Sequence, residues 1–474
     1  MMFRRPLVLI LGIAIASGGC AVRASQLAVA PAAPATATPS GWQATASGTT
    51  SSTPANLTTW WTQLGDRTLS GLIEQALANS PDVRSAQARL RQARAQRSVT
   101  AAVLKPSVTA GASASGGYDR PTSLSPGFDA SWEPDVFGGG RASAQAATAD
   151  VNATIDDLHA TQVSLSAEVA RNYIELRTTQ SRLAIARRNE AAQAETLQLT
   201  DFRAQAGLVG SVDVEQARTN LEQTRAQLPT LESAIAQQMH RLAVLAGLTP
   251  ESLTSTLSTG APLPSLPASI AVGIPAETLR QRPDVHAAEQ RIVAETARLT
   301  SADAKRYPRF TLSGSIGAEI VTGALTGGTS LAASAAASVV QTLFDGGRIR
   351  QQIAVQSAVQ EQRVAAYEST MLTALEDVEN ALVNYENSRL RLESLRAAET
   401  AAGNAALLAQ TQYSAGVADF QRVLDTQRTF LSVQDSVAST EGDRLTAFIQ
   451  LFKALGGGWS TTADAGAVSR SQGQ

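Results

Sequence analysis

The side chains that could take part in chemistry are few and widely separated. The three histidines, His159, His240 and His286, show none of the spacings that metal ligands or a catalytic base would need, so we expect surface or interface residues. Asp425 and Arg428 have the i, i+3 spacing of a solvated ion pair on one face of a helix. Neither a nucleophile elbow nor a phosphate-binding loop is visible. We therefore expect no enzymatic activity, no cofactor and no metal.

The chain has one cysteine, which follows an N-terminal segment typical of a secretory signal. Two arginines precede an apolar run over residues 7–16, and small residues then lead to Cys20. This arrangement resembles a bacterial lipoprotein signal, in which the cysteine thiol is lipidated, although Ser17 stands where leucine is usual. Ala21 lacks the aspartate of an inner-membrane retention signal. We expect residues 1–20 to be a lipoprotein signal and the protein to be lipid-anchored in the outer membrane; an ordinary signal peptide is the alternative.

Composition favours slender helices over a thick core. The chain has 474 residues, a formal net charge of -2 and only 4% aromatic residues. Without a basic stripe, nucleic acid is not an expected partner. Residues 21–55 predict a flexible tether and residues 460–474 a disordered tail. After the signal, no stretch approaches the roughly twenty apolar residues of a transmembrane helix, so any membrane crossing would have to use strands.

The rest of the chain is built twice. The Pro-Asp-Val sequence at Pro81 recurs at Pro283, and each copy is followed by the same order of predicted elements. We expect a first repeat over 56–247 and a second over 276–459. Residues 248–275, rich in proline, serine, threonine and leucine, predict a connector that packs around the middle of the two repeats.

Two segments predict helices far longer than those of ordinary globular proteins. One begins near residue 137 and the other runs from residue 344 to about 413. Apolar residues recur in each at steps of three, four and seven, the spacing of a narrow coiled-coil seam. The two seams are Ile155, Leu158, Leu165, Val169, Tyr173, Leu176 and Leu183, and Tyr367, Met371, Leu375, Val378, Leu382, Tyr385 and Leu392. At about 1.5 Å per residue such a helix is about 100 Å long.

Each repeat also contains a pair of predicted strands before its long helix. Hairpins are expected at 106–137 and 308–344, the last strand covering 331–343, because small or apolar residues alternate there with serine, threonine and glycine. The alternation fits a barrel wall between lipid and water, and it also fits a soluble hairpin. Four strands are too few for a membrane barrel, which needs about eight. Strands that crossed a membrane would therefore require several chains to share one barrel.

A glycine turn follows each long helix. The turns consist of Gly207, Leu208, Val209 and Gly210 in the first repeat and of Gly416, Val417, Ala418 and Asp419 in the second. We expect Gly207 and Gly416 to adopt left-handed C-cap conformations. The helices predicted after the turns, over 211–246 and 419–455, are near half the length of the long ones. Placed end to end with the helix before each hairpin, they could line the long helix.

Several motifs carry a resemblance to a known family. They lie at 60–61, 64–66, 76–83, 130–138, 280–285, 344–348, 424–428 and 451–459, and they include Phe-Asp-Gly-Gly-Arg at 344–348 and Leu-Phe-Lys-Ala-Leu-Gly-Gly-Gly-Trp at 451–459. On these residues the chain resembles the TolC-like outer-membrane efflux proteins, in the lipoprotein branch that includes OprM and NodT. The matches extend over most of the two repeats.

The resemblance implies a fold of mixed α and β structure, mainly α. Three identical chains would share a twelve-stranded transmembrane β-barrel, continued by a long periplasmic α-helical barrel, with outer-membrane lipid around the strands. A periplasmic adaptor protein would meet the helix tips, and an inner-membrane pump would deliver the substrates. Asp425 and Arg428 match positions of the periplasmic gate, where a carboxylate ring would attract cations. Gln421 lies one helical turn earlier, where some relatives carry a bulky apolar residue.

The predicted function is that of an outer-membrane exit duct in a tripartite efflux system for drugs or other small solutes. The same kind of duct could serve a protein-secretion exporter, and the sequence offers little to separate the two. A periplasmic coiled-coil scaffold without a pore would also account for the long helices and the tether. It would not account for paired hairpins at matching places in the two repeats.

Overall fold

The structure is a computed structural model that describes residues 41–42, 57–118, 120–267, 280–322 and 328–459. Cys20, the signal, nearly all of the predicted tether and the predicted tail lie outside the described residues. Among the residues that are described, none of the helices combines the length and the hydropathy needed to cross a membrane.

The described elements follow the same order in both repeats. A short 3-10 helix, Trp60–Leu64, precedes α1 (Arg67–Asn79), α2 (Pro81–Ala102), β1 (Ser107–Gly117), β2 (Arg120–Trp132), α3 (Gly139–Gln205), α4 (Ser211–Leu245), α5 (Thr254–Leu257), α6 (Pro283–Ala304), β3 (Arg309–Thr322), β4 (Gly328–Val340), α7 (Arg348–Ser414) and α8 (Phe420–Ala454). The corresponding helices have equal lengths: 22 residues in α2 and α6, 67 in α3 and α7, and 35 in α4 and α8.

Local sequence explains where the first helices begin. Ser80 Oγ accepts a hydrogen bond from the backbone nitrogen of Asp82 at 3.3 Å, and Pro81 occupies the first helical position, where its missing N–H costs no hydrogen bond. Gly65 takes a φ of 66° and so separates the 3-10 helix from α1. Asp66 then caps α1 by accepting from the backbone nitrogens of residues 68 and 69.

The strands form one antiparallel sheet in the order β1-β2-β3-β4. The pairing between β2 and β3 joins the hairpins of the two repeats, with Phe128 opposite Ile316. The strand expected over 331–343 ends earlier, at Val340. The residues beyond it turn toward α7, where Asp345 side-chain oxygens accept from the backbone nitrogens of Gly347 and Ile349 at 2.9 Å.

The long helices bury the predicted seams. α3 packs against α2, α4, α6 and α8, and α7 packs against α6 and α8. Of the predicted seam residues, those buried are Leu158, Leu165, Val169, Tyr173, Leu176, Leu183, Met371, Val378, Leu382, Tyr385 and Leu392, while Ile155, Tyr367 and Leu375 are partly buried. Full burial of one such side chain contributes roughly 1.5–3 kcal/mol. The seam predictions are therefore confirmed.

The core is thickest around the middle of the long helices. The ring of Trp60 stacks on Phe452 at 5.7 Å between centroids, and both are fully buried together with Phe448. Leu253 and Leu257, which lie between the repeats, are buried in the same cluster. Farther along α7, Gly403 gives room to the ring of Phe430, because a β-carbon at Gly403 would lie 3.1 Å from Phe430 Cε2.

Candidate gate and helix tips

The two glycine turns close their helices in the same way. Gly207 has a φ of 71° and Gly416 a φ of 75°, both in the left-handed region. In each turn the residue after the glycine donates its backbone N–H to a carbonyl five residues back: Leu208 to Arg203, and Val417 to Gln412, both at 2.9 Å. This is the Schellman pattern, which satisfies carbonyls left free at a helix end. The prediction of left-handed C-caps is confirmed.

The turns present apolar side chains to solvent on a fixed backbone. Leu208 is 68% exposed and Val417 is 78% exposed, while Val209 and Ala418 are half-buried. Asp419 begins α8 by accepting from the backbone nitrogen of residue 422 at 3.0 Å. In the first turn, Gly210 donates its N–H to the carboxylate of residue 213 at 3.3 Å. Both tips are thus capped at the end of one helix and at the start of the next.

The predicted gate residues form two separate contacts. Gln421 Nε2 donates to Asp425 Oδ1 at 3.1 Å, one helical turn along α8. Arg428 instead donates from Nε to Oδ1 of Asn220 on α4, also at 3.1 Å. The alternative in which Asp425 and Arg428 form a solvated ion pair is therefore wrong. Arg428 turns toward α4 because the buried amide of Asn220 supplies an acceptor there.

Further polar contacts join α8 and the end of α7 to α3. Gln427 donates to Thr196 Oγ1 at 3.2 Å. Arg203 donates to the backbone carbonyl of Tyr413 at 2.6 Å, and its guanidinium lies over the aromatic ring of Tyr413. Closer to the middle of the helices, Arg182 binds the carboxylate of Asp435, with Nε 2.7 Å from Oδ1. On α3, residues 182 and 196 therefore contact α8, and residue 203 contacts the end of α7.

These partners were missed from the sequence, although a signal for them exists. Arg182, Asn189, Thr196 and Arg203 recur at seven-residue steps, so they lie on one face of α3. Asn189 also contacts this side, with Nδ2 3.4 Å from Gln434 Oε1. A polar heptad on a helix that otherwise buries an apolar seam predicts a polar contact with a second helix. It does not say which helix, since α8 belongs to the other repeat.

The histidines occupy three different surroundings. His159 is buried and stacks on Trp459 at 4.3 Å between ring centroids, so of the two positions expected for it, surface or interface, the surface is excluded. His286 Nε2 lies 2.6 Å from the carbonyl oxygen of residue 280, and His240 is exposed. Burial raises the pKa of Asp156, which lies beside His159, although the nearby His286 and His159 act to lower it. Within the described ranges, no group of three or more His, Cys, Asp and Glu side chains is placed to hold a metal ion.

Known proteins are similar to the chain in sequence and in fold. A family model described as outer membrane efflux protein matches residues 72–248 and 274–457. The pyoverdine export outer membrane protein OpmQ of Pseudomonas aeruginosa is 31% identical over 90% of this chain and 92% of its own length. The outer membrane protein OprJ of the same species is 31% identical over 84% of this chain and 86% of its own. The solved structure of the outer-membrane channel OprN is 36% identical, with a TM-score of 0.83 over 90% of this chain and 99% of that one.

The family model matches the chain in two segments, one in each repeat, and the similarity to OprN extends over 90% of the chain. They confirm the predicted fold class, the predicted TolC-like branch and the predicted outer-membrane location. The chain belongs to the outer membrane efflux protein family, a family of channels rather than enzymes, and is an outer-membrane channel component of an efflux system.

Proposed function

We propose that three copies of the chain form one passive exit duct, into which an inner-membrane pump delivers small solutes through a periplasmic adaptor. The observation that supports this most directly is the sheet. In the described part of the chain it has four strands, and β1 and β4 are its edges. Unpaired edge strands expose backbone groups, and a closed barrel is the arrangement that removes them. Pairing β4 of one copy with β1 of the next would give twelve strands in three copies.

The helix tips are the proposed docking surface for the adaptor. Leu208 and Val417 are exposed apolar side chains, and each follows a glycine whose left-handed conformation is fixed by backbone hydrogen bonds. A rigid turn loses little conformational entropy on binding, and buried apolar side chains then supply affinity. Gly207, Val209, Gly210, Gly416, Ala418 and Asp419 hold the shape of these two tips.

Asp425, Gln421 and Arg428 are the proposed periplasmic gate. Asp425 and Gln421 are exposed on the same face of α8, close to the tip, so three copies would place three carboxylates around one opening. The side chain of Arg428 reaches the neighbouring helix α4 and ties α8 to it through Asn220. In this proposal Asp425 sets the charge of the opening, while Arg428 resists the separation of the two helices.

The proposed anchor is a lipid on Cys20. The thiol stands at the cleavage point predicted for a lipoprotein signal, and no second cysteine competes with it in the sequence. For the cargo, a related protein is named for pyoverdine export, which supports a solute rather than a protein as the transported molecule. The solute itself is chosen by the pump in this proposal, because a conduit without a chemical step selects little.

The test is the native mass of the mature protein extracted from a membrane fraction in detergent, together with the mass of the single chain. We expect a trimer whose chains begin at a triacylated Cys20. Cys20→Ser is the matched control: it should lose the acyl mass, while any trimer that assembles should remain intact. A monomer or dimer released without detergent would contradict the shared duct.

A further inference from the structure

We propose that Asp129 and Glu319 make the lumen of the outer-membrane barrel favour cationic over anionic solutes. This inference rests on the three-chain duct proposed above. It concerns the sheet, at the opposite end of the long helices from Asp425.

The register separates the side chains of the sheet into two chemically distinct faces. On one face the cross-strand pairs Ala110–Phe128, Phe128–Ile316 and Ile316–Ala333 are all apolar. The remaining described residues of that face are Val108, Ala112, Ala114, Gly116, Thr122, Leu124, Pro126, Ala130, Trp132, Phe310, Leu312, Gly314, Ala318, Ile320, Thr322, Thr329, Leu331, Ala335, Ala337 and Val339. Such a face suits lipid.

The other face carries mostly hydroxyl groups, with glycine and alanine between them. Its hydroxyls bond across strands, as Ser115 does with Ser123 and Ser315 with Ser334, both at 2.8 Å between oxygens. Among the strand residues whose side chains are described, this face carries three charged groups, Asp129, Glu319 and Arg309. Since the apolar face suits lipid, the hydroxyl face lines the aqueous lumen when the barrel closes.

The glycines show independently which way the sheet curls. Gly111, Gly127, Gly317 and Ala332 are paired in one row across all four strands, on the hydroxyl face. A β-carbon at Gly317 would lie only 3.0 Å from the Pro126 carbonyl oxygen and 3.3 Å from Gly127 Cα. Strands approach this closely on the inner side of a bend, where glycine is needed. The curl therefore places the hydroxyl face inside.

The two carboxylates lie on either side of this glycine row. Asp129 is two residues from Gly127 along β2, and Glu319 is two residues from Gly317 in the other direction along the sheet. Three copies would give a ring of three Asp129 and a ring of three Glu319, one on each side of a belt of glycines in which Ala332 contributes only a methyl group. Arg309, opposite Val340 at the start of β3, lies at the helical end of the sheet. The belt is thus flanked by negative charge on both sides.

An enclosed lumen increases the effect of these charges. Low-dielectric walls focus the field of a charged cleft, so counter-ions are concentrated and ions of the same sign are depleted. The neighbouring hydroxyls carry no charge that would offset the carboxylates. Cationic and neutral solutes therefore pass the belt more readily than polyanions.

The experiment measures the local potential with a reporter thiol. Ala332→Cys places a cysteine in the glycine row of the trimeric protein in liposomes. The rate at which this thiol reacts is measured with a cationic trimethylammonium methanethiosulfonate and with an anionic sulfonate methanethiosulfonate of similar size. The protein without the reporter gives the background from Cys20. The ratio of the rate with the cationic reagent to the rate with the anionic reagent should fall by about tenfold when Asp129→Asn and Glu319→Gln are introduced together.

Two controls complete the design. Glu393→Gln removes one exposed carboxylate on α7, far from the sheet, and should leave the ratio unchanged. Ala333→Cys lies on the apolar face and should react slowly with both reagents. Raising the salt from about 0.1 M to about 1 M shortens the screening length from about 10 Å to about 3 Å and should abolish most of the difference.

Each outcome has a defined meaning. A trimer whose ratio is the same with and without the two carboxylates would overturn the selectivity and leave the duct standing. Faster reaction of Ala333→Cys than of Ala332→Cys would overturn the assignment of the faces. A protein that remains monomeric in the same liposomes would overturn the proposed duct, and this inference with it.

Discussion

Arg428 donates from Nε to the side-chain oxygen of Asn220 at 3.1 Å, across 208 positions of the chain. The contact joins α8 to α4, the two helices that leave the two tips. Few other contacts connect this pair, since α4 packs mainly on α3 and α8 mainly on α7. Asn220 is buried, so loss of its partner would leave a polar group without compensation.

We predict that Arg428→Ala and Asn220→Ala each raise the open probability of the isolated channel in planar bilayers. Because both remove the same contact, the double variant should resemble either single one, with a coupling of about 1 kcal/mol in the opening equilibrium. Arg422→Ala, at another exposed arginine of α8, serves as the matched control and should change little. Additive effects of the two substitutions would argue against a shared contact.

Asp425 allows its charge to be separated from its hydrogen bond. Its Oδ1 accepts from Gln421 Nε2 at 3.1 Å, and asparagine can keep that bond while removing the charge. We predict that Asp425→Asn reduces the cation preference of single channels, whereas Asp425→Ala also raises conductance. Gln421→Ala should leave the cation preference in place. If conductance and cation preference are unchanged in both Asp425 variants, the residue has no part in the gate.

Local sequence predicts the conformation of the tips but not the contacts of the gate. Gly207 and Gly416 could be assigned as left-handed C-caps, because the conformation depends on neighbours within six residues. Burial of Val378 and Leu382 was equally predictable from helical spacing. Arg428 was not, because nearby residues offered Asp425 as a partner. The true partner depends on how the two repeats pack, which no local pattern encodes.

The exposed apolar residues at the tips lead to a prediction about assembly. Leu208→Asp and Val417→Asp should each lower the yield of cross-links between the duct and periplasmic adaptors in intact cells, and together they should abolish them. Placing a carboxylate in an apolar contact leaves a charge without a partner, which costs several kcal/mol. Val99→Asp, which makes the same chemical change at an exposed position of α2, is the control. Normal cross-linking in the double variant, with normal membrane levels, would exclude these tips as the docking surface.

The contact between Tyr173 and Asp66 leads to a prediction about pH. The phenol donates to Asp66 Oδ2 at 2.6 Å, tying α3 to the cap of α1, and Tyr173 is fully buried. Burial, and then the bond to Asp66, raises the pKa of Tyr173 to about 12. An unfolded tyrosine titrates near about 10. The folded state therefore holds this proton more tightly, and its contribution to stability is complete below pH about 10 and lost as the pH rises toward 12.

The measurement is the thermal unfolding midpoint of the detergent-solubilised protein between pH 9 and pH 12, followed by helical circular dichroism. Tyr173→Phe should lower the midpoint at neutral pH, because a hydrogen bond to a charged group contributes about 1.5–3 kcal/mol. It should also flatten the decline above pH 10, since the titrating proton is gone. Tyr118→Phe, at a fully exposed tyrosine, should follow the parent protein at every pH. Parallel declines for Tyr173→Phe and the parent would mean that another group controls alkaline unfolding.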